Sequence, residues 1–464
     1  MSSQPLGYDD ALAYLEAHHD REKSPNLAAG RVDGLSLDSM QALMSVLGDP
    51  HRSYPVVHVT GTNGKGSVAA MIEALLEEHG LVTGTYTSPH LTRVNERMRW
   101  TGEALLGVGT DGNVVARRKP ARGGDIDDAS LARIIAEIAD AEVVAGVRAS
   151  YFEVLTAAAL SWFAQLPVAA AVVEVGLLGR FDATNVIDAA VSVITNIGHD
   201  HTDFTGDWRA KIAGEKSGII KPGSAVVVGE RDPDLVRLFE AATGADQPLW
   251  VAGRDFDVSN LSVAVRGQLV DLRLPGGTIE GVLVPVHGSH QAQNAAVAAA
   301  SVEAFFGRDL DADVLRSAFE RVVIPARFEV VGHAPLVIID GAHNVEGADA
   351  AATTLAEEFS FDGRRILVVG MLAGRDPRPI LDALDAQHAD VVVATTAPSP
   401  RGVPAEELAD LARQLGAAAT AIADPTEAVE TATALAGPDD AILVTGSLYV
   451  AGAVREALTG APRG

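Results

Sequence analysis

Residues 56–67 read Val56-Val57-His58-Val59-Thr60-Gly61-Thr62-Asn63-Gly64-Lys65-Gly66-Ser67, and this stretch decides the fold. An apolar, β-branched run of strand length enters. Three glycines follow, at 61, 64 and 66. Beyond Ser67, the residues Val68, Met71, Ile72, Leu75 and Leu76 recur at helical spacing, and Gly80 reads as a stop. A strand, a glycine-rich turn and a helix in that order are the context of a phosphate loop. Glycines let successive backbone N–H groups turn towards an anion, and the helix N-terminus adds partial positive charge. Gly61, Thr62, Asn63, Gly64, Lys65, Gly66 and Ser67 are therefore candidate nucleotide contacts. Lys65 supplies a point charge for phosphate oxygens, and Ser67 a hydroxyl donor. A glycine separates Lys65 from Ser67, which departs from the common Walker spacing and points to a particular branch of phosphate-loop proteins.

Outward from this loop the chain repeats the same rhythm of strand, turn and amphipathic helix. Strands are expected at 55–60, 81–85, 168–175, 191–197, 225–229, 336–340, 365–369, 390–395 and 441–445. Helices are expected at 67–79, 130–145, 151–165, 309–321 and 405–415. Alternation of this kind implies right-handed crossovers and mostly parallel sheets. The expected class is α/β, with an N-terminal phosphate-loop ATPase domain and a C-terminal Rossmann-like domain. Residues 251–285 alternate without a helix and contain the turn Pro275-Gly276-Gly277, so they read as a small β-meander on the first domain. Residues 107–128 are rich in glycine and charge and read as an exposed, mobile loop. The rhythm restarts after 323–325, placing domains at 1–323 and 324–464.

At 464 residues the chain is too long for one ordinary core. It has no cysteine, which excludes disulfide scaffolds, thiolate metal sites and thiol catalysis. A formal charge of −26 disfavours nucleic acid and anionic membrane as partners. No apolar run is long enough to span a bilayer, and residues 1–20 are polar and acidic, unlike a signal peptide; a cytoplasmic protein is expected. Only six lysines occur, so a lysine inside a motif stands out.

Polar groups gather where the strand pattern predicts carboxyl ends, the usual place for ligands in an open α/β sheet. Glu174 interrupts the apolar run AAAVVEVG, where a carboxylate is costly unless paired or bound to a metal. His199 and His201 follow the strand at 191–197, and two imidazoles two apart beside a phosphate site favour a ligand role. Lys216, in GEKSGII, opens a turn; it is either a plain phosphate-neutralising ammonium or, as a carbamate, an oxygen donor, and spacing does not choose between them. Ser88, in TSPHL, offers a hydroxyl to a cation. HQAQN (290–294) opens an alanine-rich helix. Arg327 and the run Asp340-Gly341-Ala342-His343-Asn344 fall at the start of the second domain, hence at an interdomain cleft.

Taken together, HVTGTNGKGS (58–67), TSPHL (87–91), FEVLTAAAL (152–160), EVGLLGRFDATNV (174–186), HDHTDFTG (199–206), GEKSGIIKPG (214–223), HQAQN (290–294), PARFEV (325–330) and DGAHN (340–344) resemble, in order, the folylpolyglutamate synthase/dihydrofolate synthase family of the Mur ligase superfamily. The resemblance implies that the loop binds ATP. It implies Ser88 and Glu174 as ligands of one Mg²⁺, and Glu174, His201 and a carbamylated Lys216 as ligands of a second. Asn294, Arg327 and Asp340 become ATP contacts, and His343 lies near the phosphates or the incoming glutamate. Phe181 and Asp182 fall beside the pterin or folate acceptor. The family usually has Gly-Gly-Arg where this chain has Leu178-Gly179-Arg180, which puts acceptor-side loop geometry in question.

The implied reaction is ATP-dependent joining of L-glutamate to dihydropteroate, to a folate, or to both, through an acyl phosphate, with both activities expected. Small molecules are the expected partners, and a monomer the expected state. A Mur ligase acting on a UDP-linked cell-wall precursor is the alternative within the class. Only 60 residues precede Gly61, fewer than the extra N-terminal domain of such enzymes needs. A nucleotide-dependent regulatory module that had lost its chemistry would be expected to have lost Glu174, His201 or Lys216, and all three are present.

Overall fold

The computed structural model describes residues 6–20, 36–102, 107–108, 114–115, 124–199 and 206–460. Among the described residues, ten strands precede residue 252: β1 (Val56–Thr60), β2 (Thr83–Tyr86), β3 (Met98–Thr101), β4 (Gly107–Val108), β5 (Val114–Val115), β6 (Gly124–Asp125), β7 (Ala170–Glu174), β8 (Val191–Ile194), β9 (Ala225–Val228) and β10 (Leu249–Val251). Eight of them form one sheet in the order β10-β9-β8-β1-β7-β2-β3-β6, and β4 pairs with β5. The ladder from β10 to β2 is parallel; β3 and β6 close one edge antiparallel. Strand β1 lies between β7 and β8 and is buried at all five positions. Such burial on both faces is why it reads as a continuous apolar run and not as an alternation.

The helices of this part are α1 (Tyr8–Glu16), α2 (Asp38–Val46), α3 (Lys65–Glu78), α4 (Asp128–Ala145), α5 (Tyr151–Gln165), α6 (Trp208–Lys216), α7 (Pro233–Ala242), α8 (Ser289–Phe306) and α9 (Ala312–Glu320). α3, α8 and α9 cover one face of the sheet. They share a core with the meander β11 (Asp257–Ala264), β12 (Gly267–Leu274) and β13 (Gly277–Val284), whose Val270, Leu272 and Val282 are fully buried. α1, α2, α4 and α5 cover the other face.

A second sheet contains β14 (Glu329–His333), β15 (Leu336–Ile339), β16 (Arg365–Val369), β17 (Val391–Ala394), β18 (Ala419–Ala421) and β19 (Ala441–Thr445), in the order β14-β15-β19-β16-β17-β18. It is parallel except for β14. Of its helices, α10 (Val345–Glu358), α11 (Pro377–Ala383) and α12 (Ala405–Gln414) cover one face, and α13 (Pro425–Leu435) and α14 (Leu448–Thr459) the other. The expected pair of α/β sheets with a meander is what the chain forms. No helix among the described residues is long and apolar enough to cross a membrane.

One expectation changes, and α1 was unannounced. The stretch 107–128 is not simply an exposed loop. Gly124–Asp125 extends the sheet edge against β3, Ile126 is buried, and the Asp127 carboxylate caps α4 by accepting from the Ser130 amide at 2.9 Å. Residues 109–113 and 116–123 lie outside the described residues. At the N-terminus, the polar, acidic text of residues 1–20 hides α1, which buries only Ala11 and Leu15 and so leaves a weak apolar signal.

The two halves meet along α10. At its start, Asn344 donates from Nδ2 to Asn63 Oδ1 at 2.8 Å, and Glu346 accepts from the His199 amide at 2.9 Å. At its end, the Glu358 carboxylate accepts from the Gly288 amide and contacts His287 Nδ1, both at 2.8 Å.

Two positions test the packing of the first sheet. Gly84 in β2 lies flat against the fully buried Phe163 ring, and a Cβ there would stand 2.6 Å from it. Gly84→Ala is expected to cost about 1–3 kcal/mol, seen as a lower urea midpoint with an unchanged far-UV spectrum. His58, fully buried in β1 with Nε2 2.8 Å from Thr184 Oγ1, has its pKa lowered to about 3 by burial, with the Lys221 charge adding to it. The unfolded imidazole titrates near 6.5, so between about pH 3 and 6.5 the unfolded chain holds a proton that the folded chain refuses. Stability therefore rises with pH across that window. Urea unfolding of His58→Gln should lack this contribution, worth up to about 1.4 kcal/mol per pH unit; parallel pH dependences for parent and variant would contradict the assignment.

Candidate active site

The glycine-rich loop leaves the carboxyl end of β1, between β8 and β7 in the sheet. Gly61 has φ 151° and Gly64 φ 82°. A side chain at Gly61 would collide with that of Thr195, and one at Gly64 would stand 2.5 Å from Asn294 Oδ1. Gly64 thus caps α3 in the left-handed conformation, and the helix starts at Lys65, two residues before the expected Ser67. The loop is strapped to the segment after β8. The Thr62 amide donates to Asn196 O at 3.1 Å, the Asn63 amide to Asn196 Oδ1 at 2.9 Å, and Thr195 Oγ1 to Asn63 O at 2.6 Å. Lys65 Nζ donates to Gly61 O at 3.1 Å and Thr62 O at 3.2 Å.

Glu174 closes β7, where the register sets it opposite Val59. Its carboxylate is buried, and Oε2 accepts from the Ser88 amide at 3.1 Å. A Cβ on Gly66 would be 3.6 Å from the same oxygen, so the acid lies against the loop. Burial pushes the Glu174 pKa up, while Lys65, the Ser88 amide, Arg327 and Arg97 pull it back. A desolvated carboxylate among cationic groups, with a serine beside it, is an oxygen donor set suited to a hard cation. Among the described residues, no three histidine, aspartate or glutamate side chains form a metal cluster. His201 lies outside the described residues.

Lys216 ends α6 and opens the expected turn, capping the 3-10 segment Ser217–Ile219. It is 1% exposed, and its Nζ donates to Gly61 O at 2.9 Å, the same carbonyl that receives Lys65. His199 takes a different place from the one expected of a ligand pair: its amide and Nδ1 meet Glu346, and its ring lies 4.5 Å from that of Trp208.

The segment 177–186 is held tightly. Asp182 is buried; Oδ2 accepts from the Leu177 amide at 2.7 Å, and Oδ1 from the Thr184 amide and hydroxyl at 3.0 and 2.5 Å. Its carboxylate therefore shapes the loop, while Phe181 is exposed. Leu178 has φ 58°, the left-handed region that costs a non-glycine residue roughly 1–2 kcal/mol. Burial of the leucine side chain and a 2.6 Å hydrogen bond from Thr60 Oγ1 to Leu178 O offset it.

From the second half, Asp340 and Arg327 arrive as one unit. Asp340 accepts from the Phe328 amide at 2.9 Å and the Ala342 amide at 2.8 Å. It thereby fixes the turn in which Ala326 and Phe328, both at positive φ, flank Arg327. His343 Nδ1 donates to Gly341 O at 2.9 Å, which leaves Nε2 as an acceptor. Burial lowers its pKa to about 3, and the charges of Arg375, Arg327 and Lys65 act in the same direction. Asn294 Nδ2 donates to Gln291 Oε1 at 3.0 Å on the α8 face beside Gly64. A cavity of about 630 Å³ opens between the halves, lined among others by His199, His343, Arg375, Arg401, Ser447 and Tyr449. Arg375 also donates to His343 O at 2.6 Å.

Lys65, Glu174, Ser88, Lys216, Asn294, Arg327, Asp340 and His343 thus converge on one region. Asn196, Arg375 and Ser447 belong to it and were not singled out in the sequence. Asn196 could have been, as a polar residue at the end of an apolar strand. Arg375 and Ser447 carry no local signal.

The geometry agrees with comparisons to known proteins. Residues 132–302 match the Mur ligase middle domain, and residues 326–448 the Mur ligase glutamate ligase domain. The chain is 41% identical over 449 residues to a dihydrofolate synthase/folylpolyglutamate synthase of Mycobacterium tuberculosis, covering 90% of this chain and 89% of that one. Its structure is similar to that of M. tuberculosis folylpolyglutamate synthase complexed with ADP and AMPPCP (TM-score 0.82, 40% identity, 92% of this chain and 96% of that one). It is also similar to Escherichia coli FolC in complex with DHPP and ADP (TM-score 0.81, 29% identity, 99% of both chains). A relative 41% identical along nine tenths of both chains, together with the two matching Mur ligase domains, shows that the chain belongs to the folylpolyglutamate synthase/dihydrofolate synthase family of Mur ligases.

Proposed function

We propose that this protein joins L-glutamate to a folate-type carboxylate at the expense of ATP, taking both dihydropteroate and folate glutamates as acceptors. The observation that carries the reading is the hydrogen bond from Asn344 to Asn63, which brings the second half directly onto the phosphate loop. The reading divides the chain at 1–323 and 324–464, and takes it as a cytoplasmic monomer.

Residues 61–67 cradle the triphosphate, with Lys65 on its outer oxygens and Asn294 beside Gly64. Arg327, whose turn Asp340 holds, reaches the nucleotide from the other side. Two Mg²⁺ ions, one held by Ser88 and Glu174 and one by Glu174, His201 and a carbamylated Lys216, would neutralise phosphate charge when bound. A carbamate keeps one N–H on Lys216, enough to preserve its bond to Gly61 O while adding two oxygen donors. The acceptor carboxylate, presented by the 177–186 loop with Phe181 at its surface, attacks the γ-phosphorus in line, and ADP departs.

The cavity by His343 fits the incoming glutamate. In a chain of charge −26 it gathers Arg375 and Arg401, which suit a dicarboxylate. His343 Nε2, unprotonated at neutral pH, accepts from the α-amine and orients it towards the acyl phosphate. The uncharged amine attacks, and the tetrahedral intermediate expels phosphate, which carries away the proton lost from nitrogen. Contact between the halves keeps out water that would hydrolyse the acyl phosphate.

Glutamate-dependent ADP release by the purified chain, with dihydropteroate and separately with a reduced folate monoglutamate, tests the reading. Release is expected with both; release with neither would overturn it. Lys65→Ala should lower kcat by about 10²- to 10³-fold. Arg375→Ala should raise KM for glutamate by about 10-fold or more while leaving KM for ATP near the parent value, consistent with loss of one charge-assisted hydrogen bond.

A further inference from the structure

The same face of β1 grips the 177–186 loop twice. Side chains two apart on a strand share a face, and here those side chains are His58 and Thr60, both fully buried. Thr60 Oγ1 donates to Leu178 O at 2.6 Å. His58 Nε2 lies 2.8 Å from Thr184 Oγ1, which donates to Asp182 Oδ1 at 2.5 Å; Asp182 in turn holds the Leu177 amide at 2.7 Å. Both ends of the loop are therefore tied to one strand. The residue after Thr60 is Gly61, where the phosphate loop begins.

We propose that Thr60, with His58 behind it, is a positioning residue for ligation. It fixes the height of the 177–186 loop relative to the phosphate loop, and so the gap across which the carboxylate meets the γ-phosphorus. This rests on the reading of 177–186 as the acceptor side. Neither side chain touches the nucleotide loop's own hydrogen bonds: the Thr60 carbonyl accepts from the Thr195 amide through backbone alone. Loss of the hydroxyl should therefore disturb the acceptor and spare ATP. An acyl phosphate held out of line meets water before it meets the amine, which yields ADP and phosphate without amide.

The test compares Thr60→Val, which keeps shape and removes the donor, with Thr60→Ser, which restores it. Thr60→Val is expected to raise KM for the folate acceptor about 10-fold, leave KM for ATP within two-fold, and raise the ratio of ADP released to amide formed well above one. Thr60→Ser should return both readouts towards the parent. Equal increases in both KM values, unchanged kinetics, or a Thr60→Ser variant as impaired as Thr60→Val would each overturn the proposal. Should Thr60→Val fail to fold, Thr184→Val, which cuts the relay at its other end, carries the same expectation and the same refutations. Phe181→Ala separates the two readings. If it leaves acceptor KM unchanged, the acceptor side lies elsewhere; if it raises acceptor KM while Thr60→Val does not, only the positioning role fails.

Discussion

The carbonyl of Gly61 receives two ammonium groups, the half-buried Lys65 at 3.1 Å and the fully buried Lys216 at 2.9 Å. That convergence is the constraint on which the site depends. Lys65 comes from the helix that leaves the phosphate loop, and Lys216 from the end of a helix some 150 residues later in the chain. Two like charges on one acceptor are tolerable only where negative charge is close, and Glu174 is that charge, lying against Gly66. The loop cannot relax away from this arrangement, because Thr195 and Asn196 hold its backbone from the other side.

The second sheet answers the first with complementary chemistry. Its strands point their carboxyl ends at the phosphate loop, so the turns after β15, β16 and β19 supply His343, Arg375 and Ser447 to one cavity. Asp340 shows how such a wall is built. Its carboxylate accepts from the backbone amides of Phe328 and Ala342, and those amides determine where Arg327 goes. Asp182 plays the same part in the first half. Acids at both places organise loops whose neighbours face the ligands.

Much of this was legible in the letters. The loop at 61–67 could be read because its function demands glycine where φ is positive and a lysine within reach, and those demands are local. Glu174 could be read because a carboxylate inside AAAVVEVG has no cheap structural excuse. Boundaries slipped where a cap overrode periodicity: Gly64 starts α3 two residues early, and the turn that Lys216 opens is preceded by a helix the letters did not announce. Leu178 was visible as a departure, but its cost and the Thr60 bond that offsets it depend on a partner 118 positions away. Arg375 and Ser447 were silent for the same reason. Nothing in their neighbourhoods distinguishes them from surface residues until the two sheets face each other.

Helix α10 carries a mechanical consequence. With 14 residues at about 1.5 Å each, it is a rod roughly 21 Å long, fastened at one tip to His287 and Gly288 and at the other to the phosphate loop and His199. A rod of that length is a lever arm. A swing of only about 10° around the Glu358 tip would carry the Asn344 tip through roughly 3.7 Å, more than enough to sever its single bond to Asn63. The fulcrum is gripped by the Glu358 carboxylate and the working end by the Asn344 amide and the Glu346 carboxylate, so parting the jaws over the phosphate loop means breaking a small set of polar contacts at one tip.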